Sequence, residues 1–311
     1  HYLKGRILMS FAYDVKTELC AAELDNACCR RAQLYAMLLY GRSFSQRDIT
    51  LRTEHEGTTL LACALLEEIY AVRPCVRYVP RAGGHGIHIL SIESSGDIAR
   101  VLDDFGYAPS TVSFRLNRAV IENDCCNAAF LRGAFLSCGS VVEPEKDYHL
   151  EFVAPQVGAG RDLSALLGEQ GLEPKTVSRS GSFVVYFRES GQIEDFLTLT
   201  GAAMKSLELM NIKVYKDLRN KANRVTNCET ANIDRTAGAA ARELDAIRRI
   251  TAVHGMTSMP EELRELAALR LANPELTLRE LGERLGISRS GVNHRLRRIL
   301  ALAQRPEAAK K

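Results

Sequence analysis

The chain has 311 residues, 46% of them hydrophobic and 25% charged, with a formal net charge of +3. That balance belongs to a globular protein of two domains, or of one large and one small domain, and it excludes a disordered or fibrous chain. No apolar run approaches the roughly 18 residues that a membrane span needs, and "HYLKGRILMSFAYDV" lacks an apolar core of signal-peptide length. The expected location is the cytoplasm, at the nucleoid, without membrane contact and with a natural start at Met9.

The charge is unevenly spread. Residues 1–212 carry 21 Lys and Arg against 26 Asp and Glu, and residues 213–311 carry 20 against 12. A basic final third behind a mildly acidic body directs any nucleic-acid contact to the C-terminal end. The nine cysteines (20, 28, 29, 63, 75, 125, 126, 138 and 228) are odd in number and form no C-x-x-C pair. The vicinal pairs Cys28-Cys29 and Cys125-Cys126 suit neither ordinary disulfides nor zinc ligation. Reduced, mostly buried thiols are expected, with no metal and no cofactor.

The first predicted helix carries "CCRRAQLYAMLLYGRSF" at 28–44, which aligns without gaps on "CCNAAFLRGAFLSCGSV" at 125–141. The offset is 97 throughout, and Cys, Cys, Ala, Leu and Ser coincide. Leu34 and Leu38, like Leu131 and Phe135, recur at i, i+4, the spacing of one buried face. Small residues at Ala36 and Gly133 allow two helices to approach closely. After the first copy come a strand at "DITLRTE", a helix at "TTLLACALLEEIYAV", strands at "CVRYVP" and "IHILSIES" around the Gly-rich turn "RAGGHG", and a helix at "GDIARVLDDFG" capped by Gly106. After the second come a strand at "KDYHLEFVA", a helix at "RDLSALLGEQG", a hairpin in "KTVSRSGSFVVYFRE" turning at Ser180-Gly181, and one long helix over "QIEDFLTLTGAAMKSLELMN". Each half therefore reads αββαββα.

This repeat resembles the two-copy LAGLIDADG fold of homing endonucleases, over roughly residues 10–212. The resemblance implies two motif helices packed at a pseudo-twofold axis, with an acid at the foot of each holding divalent metal. Those acids are needed because hard divalent cations prefer carboxylate oxygen. Mapped onto this chain, the metal-acid positions are Gly41 and Cys138, and the other acidic positions are Leu39 and Leu136. None can serve a magnesium ion. Glu143, Glu145 and Asp147 lie nearby in sequence but fall in the following hairpin. The body's excess of acids is also a poor match for a DNA-gripping saddle. No catalytic residue is expected. The alternative is a metal-dependent LAGLIDADG endonuclease with ligands displaced to those three acids.

Residues 213–258 read as a basic, Asn-rich linker with a helix at "AGAAARELDAIRRI". Asn220, Asn223, Asn227 and Asn232 are expected to organise an irregular segment through local backbone bonds. Lys213, Lys216, Arg219, Lys221 and Arg224 are candidate auxiliary phosphate contacts.

The strongest motif is "PELTLRELGERLGISRSGVNHRLRRIL" at 274–300. Thr277 and Glu280 form a capping box. Leu278, Leu281 and Leu285 make the apolar face of a short helix, and Gly286 suits the left-handed position that ends it. Ser288 caps the next helix, which buries Val292, Leu296 and Ile299. "MPEELRELAALRLANP" supplies a packing helix upstream. This is helix-turn-helix grammar over 259–303, with the second helix able to enter a major groove. The candidate recognition residues are Ser288, Arg289, Ser290, Asn293, His294, Arg295, Arg297 and Arg298, since Asn and Arg read base edges and clustered Arg holds phosphates.

"SFAYDVKTELC", the "CC" before each motif helix, "FLRGAFLSCGSVVEPEKDYHLEF" and "NCETAN" in this order are similar to the WhiA family. That resemblance covers about residues 9–303. It implies an α+β LAGLIDADG-like domain without nuclease activity, followed by an all-α helix-turn-helix domain. It further implies a sequence-specific regulator of transcription, linked to cell division and chromosome segregation and, in sporulating species, to sporulation. Its expected partners are double-stranded DNA and, through the LAGLIDADG-like domain, another transcription regulator or a cell-division protein. A third reading makes that domain a protein-interaction module and DNA contact secondary.

Overall fold

The computed structural model describes residues 10–81, 86–179 and 181–304. The expectations at Met9, in the turn at 82–85 and at Ser180 lie outside these residues. The chain divides into two units, 1–216 and 217–311.

The first unit opens with α1 (Phe11–Ala21), capped by Ser10, and then realises the repeat. Its first copy is α2 (Ala27–Leu39), β1 (Ser43–Phe44), β2 (Ile49–Thr53), α3 (Glu56–Tyr70), β3 (Cys75–Val79), β4 (Ile87–Ile92) and α4 (Ser95–Asp104). The second is α5 (Asp124–Cys138), β5 (Gly139–Val141), β6 (Leu150–Ala154), α6 (Val157–Glu169), β7 (Lys175–Arg179), β8 (Ser182–Phe187) and α7 (Ser190–Thr200). Each copy forms an antiparallel four-stranded sheet, ordered β1-β2-β4-β3 and β5-β6-β8-β7. The αββαββα reading of each half therefore holds. Gly106 takes the left-handed conformation at φ 78° and closes α4.

The motif helices α2 and α5 pack against one another in the centre of the unit. Leu34, Leu38, Leu131 and Phe135 are fully buried. The approach is close because Gly133 has no side chain: a Cβ there would lie 2.2 Å from the Gln33 carbonyl oxygen and 3.0 Å from the Ala36 Cβ. At the foot of the pair the Ser137 hydroxyl donates to the Met37 carbonyl at 2.7 Å.

Two elements differ from the sequence reading. The long helix expected over 192–211 is broken. Gly201 adopts φ 98° and ends α7, and a new helix, α8 (Ala203–His254), starts two residues later. Glu18 of α1 accepts from the Met204 and Lys205 amides and caps that start. The Asn-rich linker is not irregular either, because α8, 52 residues long, runs through it as far as His254. Between Gly201 and Gly238 there is neither Gly nor Pro, and each Asn costs under about 0.7 kcal/mol of helix propensity. Asn220, Asn223, Asn227 and Asn232 are exposed on this helix, as is every residue from 217 to 237.

The second unit joins the end of α8 to α9 (Glu261–Ala272), α10 (Leu278–Leu285) and α11 (Arg289–Ala303). Its core combines Ile247 and Ile250 with Met259, Leu263, Leu266, Leu281, Val292, Leu296 and Ile299. The last turns of α8 are thus part of the helix-turn-helix core, which begins well before the expected boundary at 259. Arg270 and Glu243 are buried together, Nη2 to Oε2 at 2.8 Å, and Arg270 Nη1 donates to the Leu276 carbonyl at the entry to α10.

The cysteines are all free; Cys29 and Cys126 are buried, Cys20, Cys28, Cys63, Cys75 and Cys138 half-buried, and Cys125 and Cys228 exposed, so the expectation of mostly buried thiols holds only in part. The helix pairing sets the position of the two vicinal pairs. It brings the two vicinal pairs together at the rim of the core, and the Sγ atoms of Cys28, Cys29, Cys125 and Cys126 all lie within 4.8 Å of one another.

Candidate nucleic-acid interface

The turn between α10 and α11 is built from short-range chemistry. The Thr277 amide donates to Glu280 Oε2 at 2.8 Å, and the Glu280 amide donates to Thr277 Oγ1 at 3.3 Å, so the expected capping box is formed. The Thr277 amide, and the Thr277 hydroxyl that donates to the same oxygen at 2.8 Å, hold the Glu280 carboxyl below its ordinary value. Gly286 closes α10 at φ 64°. Ser288 then accepts from the Gly291 amide at 3.1 Å and opens α11. Gly282 matters as much and carries no capping signal in the sequence. A Cβ there would lie 2.6 Å from the Ile287 carbonyl oxygen, so the turn can fold back only over glycine.

Leu281, Val292 and Leu296 are buried and Leu285 is half-buried, as their spacing predicts. The opposite face of α11 presents Ser288, Arg289, Ser290, Asn293, His294 and Arg297 to solvent. Among the described residues, Arg289, Asn293, His294 and Arg297 have no side-chain partner. Arg295 and Arg298 are different. Arg295 is half-buried and donates to the Glu262 carbonyl at 3.3 Å, and Arg298 pairs with the Glu262 carboxylate. Both tie α11 to α9, so they brace α11.

The five basic residues of α8 also divide. Lys213 pairs with Glu194 at 3.3 Å. Lys216 donates to the Pro144 carbonyl at 2.6 Å, with its ammonium 4.6 Å from the Tyr148 ring centroid. These two are committed to the first unit. Arg219, Lys221 and Arg224 are exposed and have no partner among the described residues.

The positions expected to correspond to metal acids are closed to carboxylates in different ways. At Gly41 a Cβ would lie 2.8 Å from the Thr50 carbonyl oxygen and 3.0 Å from that of Leu38, so backbone blocks any side chain there. Leu39 and Leu136 are buried. Burial pushes the Cys138 thiol up to about 12, with Lys16 beside it pulling the other way. Lys16, a residue the sequence reading missed, reaches across from α1 and donates to the Leu136 carbonyl at 3.1 Å. A protein ammonium thus lies beside Cys138. Of the displaced acids, Glu143 accepts from the Phe11 amide at 3.3 Å and Asp147 from the Tyr148 amide at 2.8 Å.

Burial lowers Lys16 from the usual lysine range to about 8. Its unfolded value is about 10.4, so the fold penalises the charged form. Below pH 8 both states hold the proton and the penalty is complete. Between pH 8 and 10 the folded state releases its proton first, and the penalty is relieved. The stability difference, wild type minus Lys16→Met, should therefore rise between pH 7.5 and 9.5 in urea unfolding; a flat difference would contradict it.

The fold and this site define a class: a two-repeat LAGLIDADG-like body carrying a helix-turn-helix domain. Residues 127–219 match the family described as "WhiA LAGLIDADG-like domain", and residues 222–303 match "WhiA C-terminal HTH domain". A protein of Ruminiclostridium cellulolyticum named "Probable cell division protein WhiA" is 36% identical over 306 residues, covering 96% of this chain and 98% of its own length. One of the same name from Heliobacterium modesticaldum is 36% identical over 307 residues, covering 95% and 96%. The crystal structure of full-length DUF199/WhiA from Thermatoga maritima superposes with a TM-score of 0.58 at 24% identity, covering 95% and 98% of the two chains, a likeness of fold. The chain belongs to the WhiA family.

Proposed function

We propose that the chain is a sequence-specific DNA-binding regulator of transcription that acts in cell division and chromosome segregation, and in sporulation where the organism sporulates. The observation that carries this reading is the solvent-facing row of α11, where Arg289, Asn293, His294 and Arg297 have no side-chain partner among the described residues. Side chains held on a rigid helix but left unspent within the domain are suited to base edges and phosphates. The names of the relatives support the cell-division role. Arg219, Lys221 and Arg224 add a sequence-independent phosphate contact.

The same reading has no nuclease step, since backbone closes Gly41 and Glu143 and Asp147 accept from main-chain amides. The LAGLIDADG-like body then serves as scaffold or as a docking surface for a second regulator or cell-division protein. The place of action is the nucleoid in the cytoplasm. Among the described residues no helix is long and apolar enough to cross a membrane.

Arg289→Ala or Asn293→Ala should weaken specific binding by about 1–3 kcal/mol with folding intact. Gel shifts at fixed salt, with circular dichroism as the folding control, measure this. Unchanged binding in both variants would remove α11 as the reading helix.

A further inference from the structure

The cysteine quartet lies at the start of both motif helices, and the function proposed above makes no use of it. Cys28 and Cys29 are the second and third residues of α2, and Cys125 and Cys126 are the second and third of α5. One vicinal pair alone is a poor chelate. Two pairs facing each other supply four thiols whose Sγ atoms lie within 4.8 Å of one another. Cys28 and Cys125 are 3.9 Å apart at sulfur. A tetrahedral ion with sulfur at about 2.3 Å requires sulfurs about 3.8 Å apart along each edge. An iron–sulfur cluster distributes four thiolates over two or four irons and needs wider spacing.

The surroundings fit a site of net negative charge. The helix caps, Asn26 and Asn123, make no side-chain cap hydrogen bond, so neither spends its side chain on first-turn amides. The Cys29 and Cys126 amides donate to the Asn26 and Asn123 carbonyls, so thiolate is favoured by the remaining first-turn amides and by the positive ends of two helix dipoles. Cys29 is 5% and Cys126 1% exposed, while Cys125 is open to solvent. The quartet therefore has a buried floor and an entrance.

We infer that Cys28, Cys29, Cys125 and Cys126 form a mononuclear tetrathiolate site for zinc that staples the two repeats together at the head of the α2–α5 pair. Zinc suits it because soft sulfur donors in tetrahedral array select that ion over magnesium or calcium. Each thiol gives up its proton on ligation, so binding releases protons and strengthens with pH.

The test uses the full chain purified under anaerobic, reducing conditions. Elemental analysis should find about one zinc per chain that persists through gel filtration. Replacement by Co2+ should give the thiolate charge-transfer band and the intense visible absorption of a tetrahedral site. Cys28→Ser with Cys125→Ser should lower bound zinc at least about tenfold, while Cys228→Ser, outside the quartet, keeps it. Because the double variant could fail to fold, the wild-type Co2+ spectrum stands as an independent readout. The inference is overturned by a chain that holds no metal and whose quartet thiols react freely with a thiol reagent. It is equally overturned by a Cys28–Cys125 disulfide in the reduced preparation, by an iron–sulfur spectrum, or by zinc retained in the double variant.

Discussion

Gly133→Leu should abolish the folded LAGLIDADG-like body, and Gly133→Ala should destabilise it by about 2–3 kcal/mol. The reason lies in what a side chain would meet. The Gln33 carbonyl oxygen stands 2.2 Å from the position a Cβ would take, and the Gln33 carbonyl carbon 3.1 Å. These are backbone atoms of α2, so no rotamer change relieves the overlap and the helices must separate. Separation loosens the packing of Leu34, Leu38, Leu131 and Phe135, all fully buried. Alanine recovers up to about 1 kcal/mol of helix propensity, which offsets only part of the cost. Gly168 in α6 is the control. It is exposed and a Cβ there meets nothing within 4 Å, so Gly168→Ala should raise stability by about 0.5–1 kcal/mol. Denaturant unfolding of the two alanine variants should move in opposite directions. A neutral Gly133→Ala would mean that the helices are farther apart than described.

Arg270→Met should cost about 3–5 kcal/mol, because it leaves the Glu243 carboxylate buried without its partner. The side chains of Arg270 and Glu243 are 3% and 9% exposed, and both Nε and Nη2 of the guanidinium converge on one carboxylate oxygen. Arg270 also donates to the Leu276 carbonyl, one residue before the capping box of α10. Losing it therefore unsettles the entry to the helix-turn-helix as well as the core, and DNA binding should fall along with stability. Glu243→Leu combined with Arg270→Met removes both charges. It should recover most of the lost stability, since well-packed apolar residues often replace a buried ion pair at little cost. Thermal unfolding of the full chain, in the two single variants and the double, measures the coupling. Additive losses would place the pair in solvent-screened surroundings.

The parts of the fold that were legible in the sequence are those with a short period or a fixed offset. The 97-residue repeat aligned the motif helices and, with Ala36 and Gly133, indicated that they pack closely. Thr277, Glu280, Gly286 and Ser288 specified both ends of α10 and the start of α11, because caps act over three or four residues. Helix α8 was not legible over 213–236. Its side chains are exposed all round from 217 to 237, so no apolar periodicity marks it there, and Asn signals turns far more readily than helix. Lys16 was hidden because its partners, Leu136 and Cys138, are some 120 residues away. The bracing role of Arg295 and Arg298 depended on Glu262 in another helix, so spacing alone could only place them beside the exposed face of α11. The cysteine quartet was half legible. The repeat already superposed the two vicinal pairs, but taken one at a time neither pair looks like a site.

The most direct measurement is genome-wide crosslinking of the chain to DNA in its native cell, comparing wild type with the Arg289→Ala, Asn293→Ala double variant at equal protein level. A reading helix at α11 predicts discrete occupied sites in the wild type and their loss in the variant. The same sites occupied by the variant, or no enrichment above a protein that does not bind DNA, would contradict it.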